Sequence, residues 1–543
     1  MPQMTTGEAV TESLIRHGVD TVFGIPGAHM YDLNDALERA DAQIRFVTTR
    51  HEQGAGFMAF GYAKSTGRTG VYTVVPGPGA LNTAAALCTG YGANAAMLCV
   101  TGNVMSHLIG QGRGQLHELP DQLATLQSLT AWAGRIDHPS EAPAKVAEAF
   151  RHMHLGRRRP AAVEAPWDVF GQSAPVDLEV DRTRGAPPSP DPRNIEAAAS
   201  LIAAAENPLI VVGAGAMDAG AEIAKLAEAI KAPVTTHRSG KGVISDRHPL
   251  AMNSWAAYKY WPDCDLVIGI GSRLELAHFR WTWRPPGLKT IRIDIDPTEM
   301  VRLKPDVGIV ADAAEGTGAL LQALAKSLNE SVDRASQCEK LRNVATRDLE
   351  TLKPQYDYLR AIRAVLPDDG FYVEEVSQMG FAARLAFPVY QPRTYVTCGY
   401  QETLGFGFHT ALGVKVANPE RAVICVTGDG GFMFGVQELA TAVQEKINVV
   451  TIVFNNSSYG NVRRDQMERY GGRLIGADLV NPDFVALAES FGAVGMRATD
   501  PAALAKALSA AIEKEAPVLI EVPLERGSET SPWPFTLPAP PSP

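Results

Sequence analysis

Residues 428–456 read GDGGFMFGVQELATAVQEKINVVTIVFNN. Gly428-Asp429-Gly430 follows the apolar run AVICVT, and Asn455-Asn456 closes a second run, NVVTIVF. Between them Phe434, Leu439, Ala442 and Val443 recur at roughly helical spacing, so the unit reads strand, turn, helix, strand. If the strands are parallel neighbours, a right-handed crossover brings Asp429 and Asn456 side by side at their carboxyl ends. A carboxylate and an amide oxygen there are hard ligands, suited to Mg²⁺ shared with phosphates. The glycines bring backbone N–H groups and a helix N-terminus close to those phosphates. GDG alone is an ordinary surface turn; NN one helix and one strand later gives the pair its meaning.

A chain of 543 residues is too long for one core and suggests three domains of about 150 residues. Its 45% hydrophobic and 20% charged content fits a globular enzyme. The net charge of −10 is spread along the chain, which speaks against nucleic-acid and membrane-surface partners. The N-terminus lacks a basic region followed by an apolar core, and no window is apolar enough for a membrane span. Six scattered cysteines without a CxxC pair suggest a reducing cytoplasm, with Cys88, Cys99 and Cys425 expected in the core.

Two composition breaks divide the chain: RTRGAPPSPDPRN (182–194), a linker, and the polar, helical stretch 327–343. The expected class is α/β, with three doubly wound parallel-sheet domains over 1–181, 194–335 and 350–527. A proline-rich tail, 528–543, is expected to avoid regular structure in its last dozen residues and to be disordered or laid over another surface.

The first segment repeats a strand, a Gly/Pro turn and a helix in TVFGIPGAHMYDL (21–33) and GVYTVVPGPGALNTAAAL (70–87). Between them IRFVTTRHEQGAGFMAFGYAKSTG (44–67) places Glu52 where a strand runs into a helix. Three such turns gather at one edge of a parallel sheet, where ligands bind in this architecture. A helix-opening glutamate is also what the macrodipole favours for stability alone.

FGIPGAHMYDLNDAL, RHEQGAGFMAFGYAKSTG, PGPGALNTAAAL, ETLGFGFHTALG and the GDG…NN block together resemble a thiamine-diphosphate enzyme of the acetolactate synthase/pyruvate oxidase/benzoylformate decarboxylase family. The resemblance spans nearly the whole chain in the order pyrimidine-binding, central and diphosphate-binding domain. It implies that Glu52 hydrogen-bonds N1′ of the aminopyrimidine. Asp429, Asn456 and the backbone of Ser458 become Mg²⁺ ligands. Ser377, Gln378, Glu402, Gly428, Gly430, Gly431, Tyr459 and Gly460 fall around the cofactor, and Leu404 is the wedge that bends it. The resemblance further implies a homodimer or homotetramer with active sites at the subunit interface, acting on a small 2-oxo acid. The product is then an aldehyde, or a hydroxy ketone formed with an aldehyde or ketone acceptor.

The chain also departs from that pattern. Ala277 stands where acetolactate synthases carry an arginine for the second 2-oxo acid, although Arg273, Arg280 and Arg284 are close. Asp465 replaces an acceptor-pocket tryptophan, and Glu402 replaces the glycine before the wedge. These changes argue against biosynthetic acetolactate synthesis. His278 falls near a histidine that aryl 2-oxo acid decarboxylases use for proton transfer, a task suited to neutral imidazole. His117, with His278 a candidate catalytic residue, and Glu118 occupy the substrate-entrance loop, and His29 follows the first Gly/Pro turn. In VVGAGAMDAGAE (211–222) Gly213 and Gly215 fit a dinucleotide fingerprint, but Asp218 takes the third glycine position. Relatives bind FAD, ADP or nothing there. An FAD-linked oxidase and a catalytically idle cofactor-binding protein are the alternatives.

Overall fold

A computed structural model describes residues 1–183, 185–324 and 334–540. Three six-stranded sheets follow one another along the chain, and every neighbouring pair within them is parallel. The first runs, edge to edge, Arg45–Thr48, Thr21–Gly24, Gly70–Val74, Met97–Asn103, Ala161–Pro166, Trp132–Arg135. The third runs Tyr395–Val396, Phe371–Glu374, Val423–Gly428, Val450–Asn455, Val518–Pro523, Val494–Arg497. Taken in chain order, both have the arrangement second, first, third, fourth, sixth, fifth. The central sheet is ordered third, second, first, fourth, fifth, sixth, starting from Ala251–Met252 and ending at Val307–Val310.

Strands such as Val423–Gly428 and Val450–Asn455 are apolar and buried nearly throughout, because helices cover both faces of a parallel sheet. The first and third domains meet through helices Glu52–Thr66 and Gly407–Ala417. Glycine makes that crossing possible. A Cβ on Gly61 would lie 2.1 Å from the Thr410 carbonyl oxygen, and one on Gly413 1.9 Å from that of Met58. Phe57, Phe60, Phe406, Phe408 and Phe432 fill one core drawn from both domains. Each fully buried ring contributes about 2–3 kcal/mol.

Several local expectations need correction. The segment after Asp429 is two helices, Asp429–Phe432 and Glu438–Gln444, and Phe434 in the break is 47% exposed. Gly435 causes the break by lying against the buried His409 ring, where a Cβ would meet Nε2 at 2.5 Å. Cys88 is exposed on helix Ala84–Ala93, whereas Cys99 and Cys425 are buried. The linker already turns helical at Pro192, which Asp191 caps. Of the polar stretch 327–343, positions 327–333 lie outside the described residues, and the remainder belongs to helix Arg334–Leu349. The tail contains one helical turn, Trp533–Thr536, and is laid first over the third domain and then over the central one. Phe535 packs edge-on against Trp255, and the Tyr258 hydroxyl donates to the Ala539 carbonyl. Among the described residues no helix is long and apolar enough to cross a membrane.

Candidate active site

Gly428 is in register with Phe454, so Asp429 emerges opposite Asn455 and beside Asn456 at the carboxyl edge of the third sheet. Asp429, Asn456 and Ser458 are all buried. Asn481 Nδ2 donates to Asp429 Oδ2 at 2.6 Å and to Asn455 Oδ1 at 3.0 Å. Asn456 Oδ1 accepts from the Ser458 backbone N–H at 3.0 Å and hydroxyl at 2.9 Å. Burial raises the Asp429 carboxyl above the usual range, opposed by the Asn481 amide and backbone N–H groups. The Asp429 carboxylate and the Asn456 carboxamide supply oxygen donors of the kind that fits a small hard cation.

The surrounding surface is backbone. Ser377 caps helix Gln378–Ala386, its hydroxyl accepting from the Gly380 N–H at 3.1 Å. Gly428 faces Ser377, Gly460 faces Asn456 and Gln378, and Gly430 lies under Tyr459, where a Cβ would meet the ring at 2.5 Å. One sheet edge thus gathers Ser377, Gln378, Gly428, Asp429, Gly430, Asn456, Ser458, Tyr459 and Gly460. Gly431 sits deeper, against Glu375.

Glu375 holds the Leu404 turn. Its two oxygens accept from the backbone N–H of Gly405 at 3.1 Å and of Gly407 at 2.8 Å. Burial pushes its carboxyl up to about 7. Glu402, in a left-handed conformation with φ 49°, points into an ion-pair network. Arg384 reaches it at 2.7 and 2.8 Å, and Arg238 also pairs with it. Arg238 continues to Glu275 at 2.6 Å, and Arg384 to Glu374. Burial alone would raise Glu402, but the arginines outweigh it and hold the carboxyl below its ordinary value. The extra carboxylate is therefore occupied by arginines, and the network ties the third domain to the central one.

At the first sheet, strands 21–24, 45–48 and 70–74 are adjacent and parallel, so the turns that follow them share one edge. Glu52 opens its helix, and Asn82 Nδ2 donates to its Oε2 at 2.9 Å. The preceding backbone N–H groups of Arg50 and His51 donate to the Glu438 carboxylate at 3.1 and 2.9 Å. Gly79 stands over the Glu52 carboxylate and Gly77 over the His117 backbone, so one turn lies against both residues. The His117 ring lies 5.3 Å from that of His29, which in turn packs on Trp167 at 4.6 Å. Burial, and then His117, lower the pKa of His29. Glu118 is turned back on its own loop, accepting from the Gln115 N–H. His278 stands elsewhere, an exposed residue on the single wide helical turn Leu276–Arg280 of the central domain, where partial burial and then Arg284 and Arg292 lower its pKa to about 4.

Among the described residues, no hydrogen bond or ion pair joins Glu52 to Asp429, Asn456 or Leu404. Asn481, Glu375, Glu438 and Glu529, whose Oε1 accepts from Asn456 Nδ2 at 2.8 Å, were not singled out from the sequence. A separate cleft of about 400 Å³ opens over the central sheet, lined by Gly213, Gly215, Arg158, Arg238, Glu275 and Asp294. Asp218 is no part of a glycine fingerprint here; it pairs with Arg393 at 2.7 Å.

Three family profiles match the chain in succession. They are the N-terminal TPP binding domain of thiamine pyrophosphate enzymes over residues 4–125, the central domain over 195–324 and the C-terminal TPP binding domain over 375–522. The chain belongs to the thiamine pyrophosphate enzymes. Among relatives of this family, a protein named "Probable 2-ketoarginine decarboxylase" from Pseudomonas aeruginosa is 35% identical over 96% of this chain and 94% of its own. A "Probable acetolactate synthase large subunit" from Methanocaldococcus jannaschii is 34% identical over 96% and 92%. The acetolactate synthase isozyme 3 large subunit of Escherichia coli is 31% identical over 95% and 93%. As a thiamine pyrophosphate enzyme, the chain is a 2-oxo acid decarboxylase/carboligase dependent on that cofactor, thiamine diphosphate.

Proposed function

We propose that this enzyme removes CO₂ from a small 2-oxo acid and releases an aldehyde, with thiamine diphosphate anchored through Mg²⁺. The observation that carries this is the convergence of Asp429, Asn456 and Ser458 at one buried sheet edge. In this reading the Ser458 carbonyl is the third protein ligand. The helix opened by Ser377 and Gln378, with Gly428, Gly430, Gly431, Tyr459 and Gly460, receives the diphosphate.

The cofactor supplies a sink for the electron pair that CO₂ leaves behind. Glu52 would hold a proton against N1′ of the bound aminopyrimidine, its carboxyl kept in place by Asn82 and the Glu438-bound backbone. Leu404 would press on the bound cofactor from a turn fixed by Glu375, and Glu402, its carboxylate held by arginines, would offer only backbone. His117, whose backbone lies against the same Gly77–Gly79 turn as Glu52, is the first-choice proton carrier; His278 serves only if substrate or a second subunit reaches the central-domain surface. Exposed apolar side chains sit on both edges, Tyr31, Leu81 and Leu116 on the first and Phe434, Val462 and Met467 on the third. A second subunit would bury both sets and bring Glu52 to its partner's cofactor, giving a homodimer or homotetramer.

Release, rather than joining to a second 2-oxo acid, is favoured because the nearby arginines are engaged. Arg280 pairs with Glu275, Arg284 bonds Leu288 and Thr290, and Arg273 stacks on Tyr400. Asp465, half-buried on helix Gly460–Arg469, suits a substrate with a cationic end, such as the 2-ketoarginine in a relative's name. Six free cysteines accord with a reducing cytoplasm. The central cleft favours one second reading, an FAD-linked oxidase, which a yellow purified protein with flavin absorbance would support.

The test is incubation of Mg²⁺- and cofactor-loaded protein with pyruvate, longer, aryl and guanidino 2-oxo acids, with and without added aldehyde. CO₂ with stoichiometric aldehyde is expected from at least one acid. Acetolactate as the main product from pyruvate, or no CO₂ from any acid, would contradict the proposal.

A further inference from the structure

After the last strand, Val518–Pro523, the chain turns back across the cofactor edge. It is pinned there. Arg464 bridges the Glu529 carbonyl at 2.8 Å and Gln378 Oε1 at 3.0 Å. The Thr530 N–H and hydroxyl both donate to the Lys353 carbonyl at 2.9 Å, and Gln355 Nε2 donates to the Thr530 carbonyl. Trp533 Nε1 reaches Asn461 Oδ1 at 2.8 Å. This strap delivers the Glu529 side chain, 7% exposed, to Asn456 Nδ2.

We propose that Glu529 is a positioning residue for the divalent cation, fixing the Asn456 carboxamide so that its oxygen rather than its nitrogen faces the metal. The inference rests on the reading of Asp429 and Asn456 as metal ligands. A carboxamide presents an acceptor at one end and a donor at the other, in nearly the same shape. Turned over, Asn456 would offer an NH₂ group to the cation and lose a ligand. A carboxylate only accepts, so Glu529 must face the nitrogen. On the opposite side the Ser458 N–H only donates, so it must face the oxygen. The two neighbours specify the same orientation.

The experiment is calorimetric titration of thiamine diphosphate at graded Mg²⁺ concentrations. It compares wild type, Glu529→Gln, Asn456→Asp and the double variant, with apoprotein melting measured beside each. Glu529→Gln should raise the half-saturating Mg²⁺ about tenfold or more, the scale of a partner that orients a metal ligand. In the Asn456→Asp background both side-chain oxygens are equivalent, so the same change should cost less than about threefold. Wild-type-like Mg²⁺ dependence in Glu529→Gln overturns the inference. So do equal losses in both backgrounds, the pattern of a merely structural strap even if the variant melts early. A wild type without Mg²⁺-dependent binding overturns the underlying ligand assignment as well.

Discussion

Glu438 Oε1 accepts the backbone N–H of His51 at 2.9 Å, so a carboxylate of the third domain fixes the residue immediately before Glu52. The same carboxylate takes the Arg50 N–H and the Thr441 hydroxyl, and it is buried. Removing it strands three donors, each costing about 1–3 kcal/mol when unpaired. Glu438→Ala should therefore melt several degrees lower and also slow hydrogen exchange at C2 of bound cofactor. Glu52→Gln should slow that exchange, and lower turnover well over about tenfold, with melting and cofactor affinity unchanged. NMR-detected exchange separates the two. Normal exchange in Glu52→Gln would remove Glu52 from its role.

Glu375 makes stability depend on pH. Its carboxyl is raised by burial to about 7 in the folded chain, against an ordinary value of 4.5. Below 4.5 the group is protonated in both folded and unfolded chains. Between 4.5 and 7 only the unfolded chain releases the proton, so stability falls as pH rises, by about 3 kcal/mol over the window. Glu375→Gln does not titrate, and the difference in unfolding free energy between wild type and variant should shrink or invert across that range. A difference independent of pH would show that the carboxyl ionises normally.

Glu402 answers to its arginines. Glu402→Gln keeps the backbone and the chain length but weakens charge-assisted bonds from Arg384 and Arg238. The expected loss is about 1–3 kcal/mol of stability in urea unfolding, with cofactor affinity retained. Weaker cofactor binding at unchanged stability would instead place the side chain against the cofactor.

The parts of this site visible in the sequence are those whose geometry a single crossover or a single parallel sheet determines. Asp429 and Asn456 follow the two paired strands of one crossover unit, and Glu52 follows the edge strand of a run of three that end in turns at the same side. Asn481 and Glu529 gave no such signal. Glu529 lies 73 positions from Asn456, and only the reversal of the chain after its last strand unites them. Locally its surroundings read as linker and proline-rich tail. Phe434 misled for the opposite reason. Its spacing fits one continuous helix, but Gly435 must pass the His409 ring and the helix breaks. Cys88 has apolar neighbours yet faces outward, because composition does not fix which side of a helix is covered.

The central claim is that Asp429 and Asn456 hold thiamine diphosphate through a divalent cation. Titrating the cofactor into wild-type and Asp429→Ala protein, with Mg²⁺ and with chelator, tests it most directly. Saturable heat should appear only for wild type with Mg²⁺. Equal binding by Asp429→Ala, or undiminished binding in chelator, would contradict it.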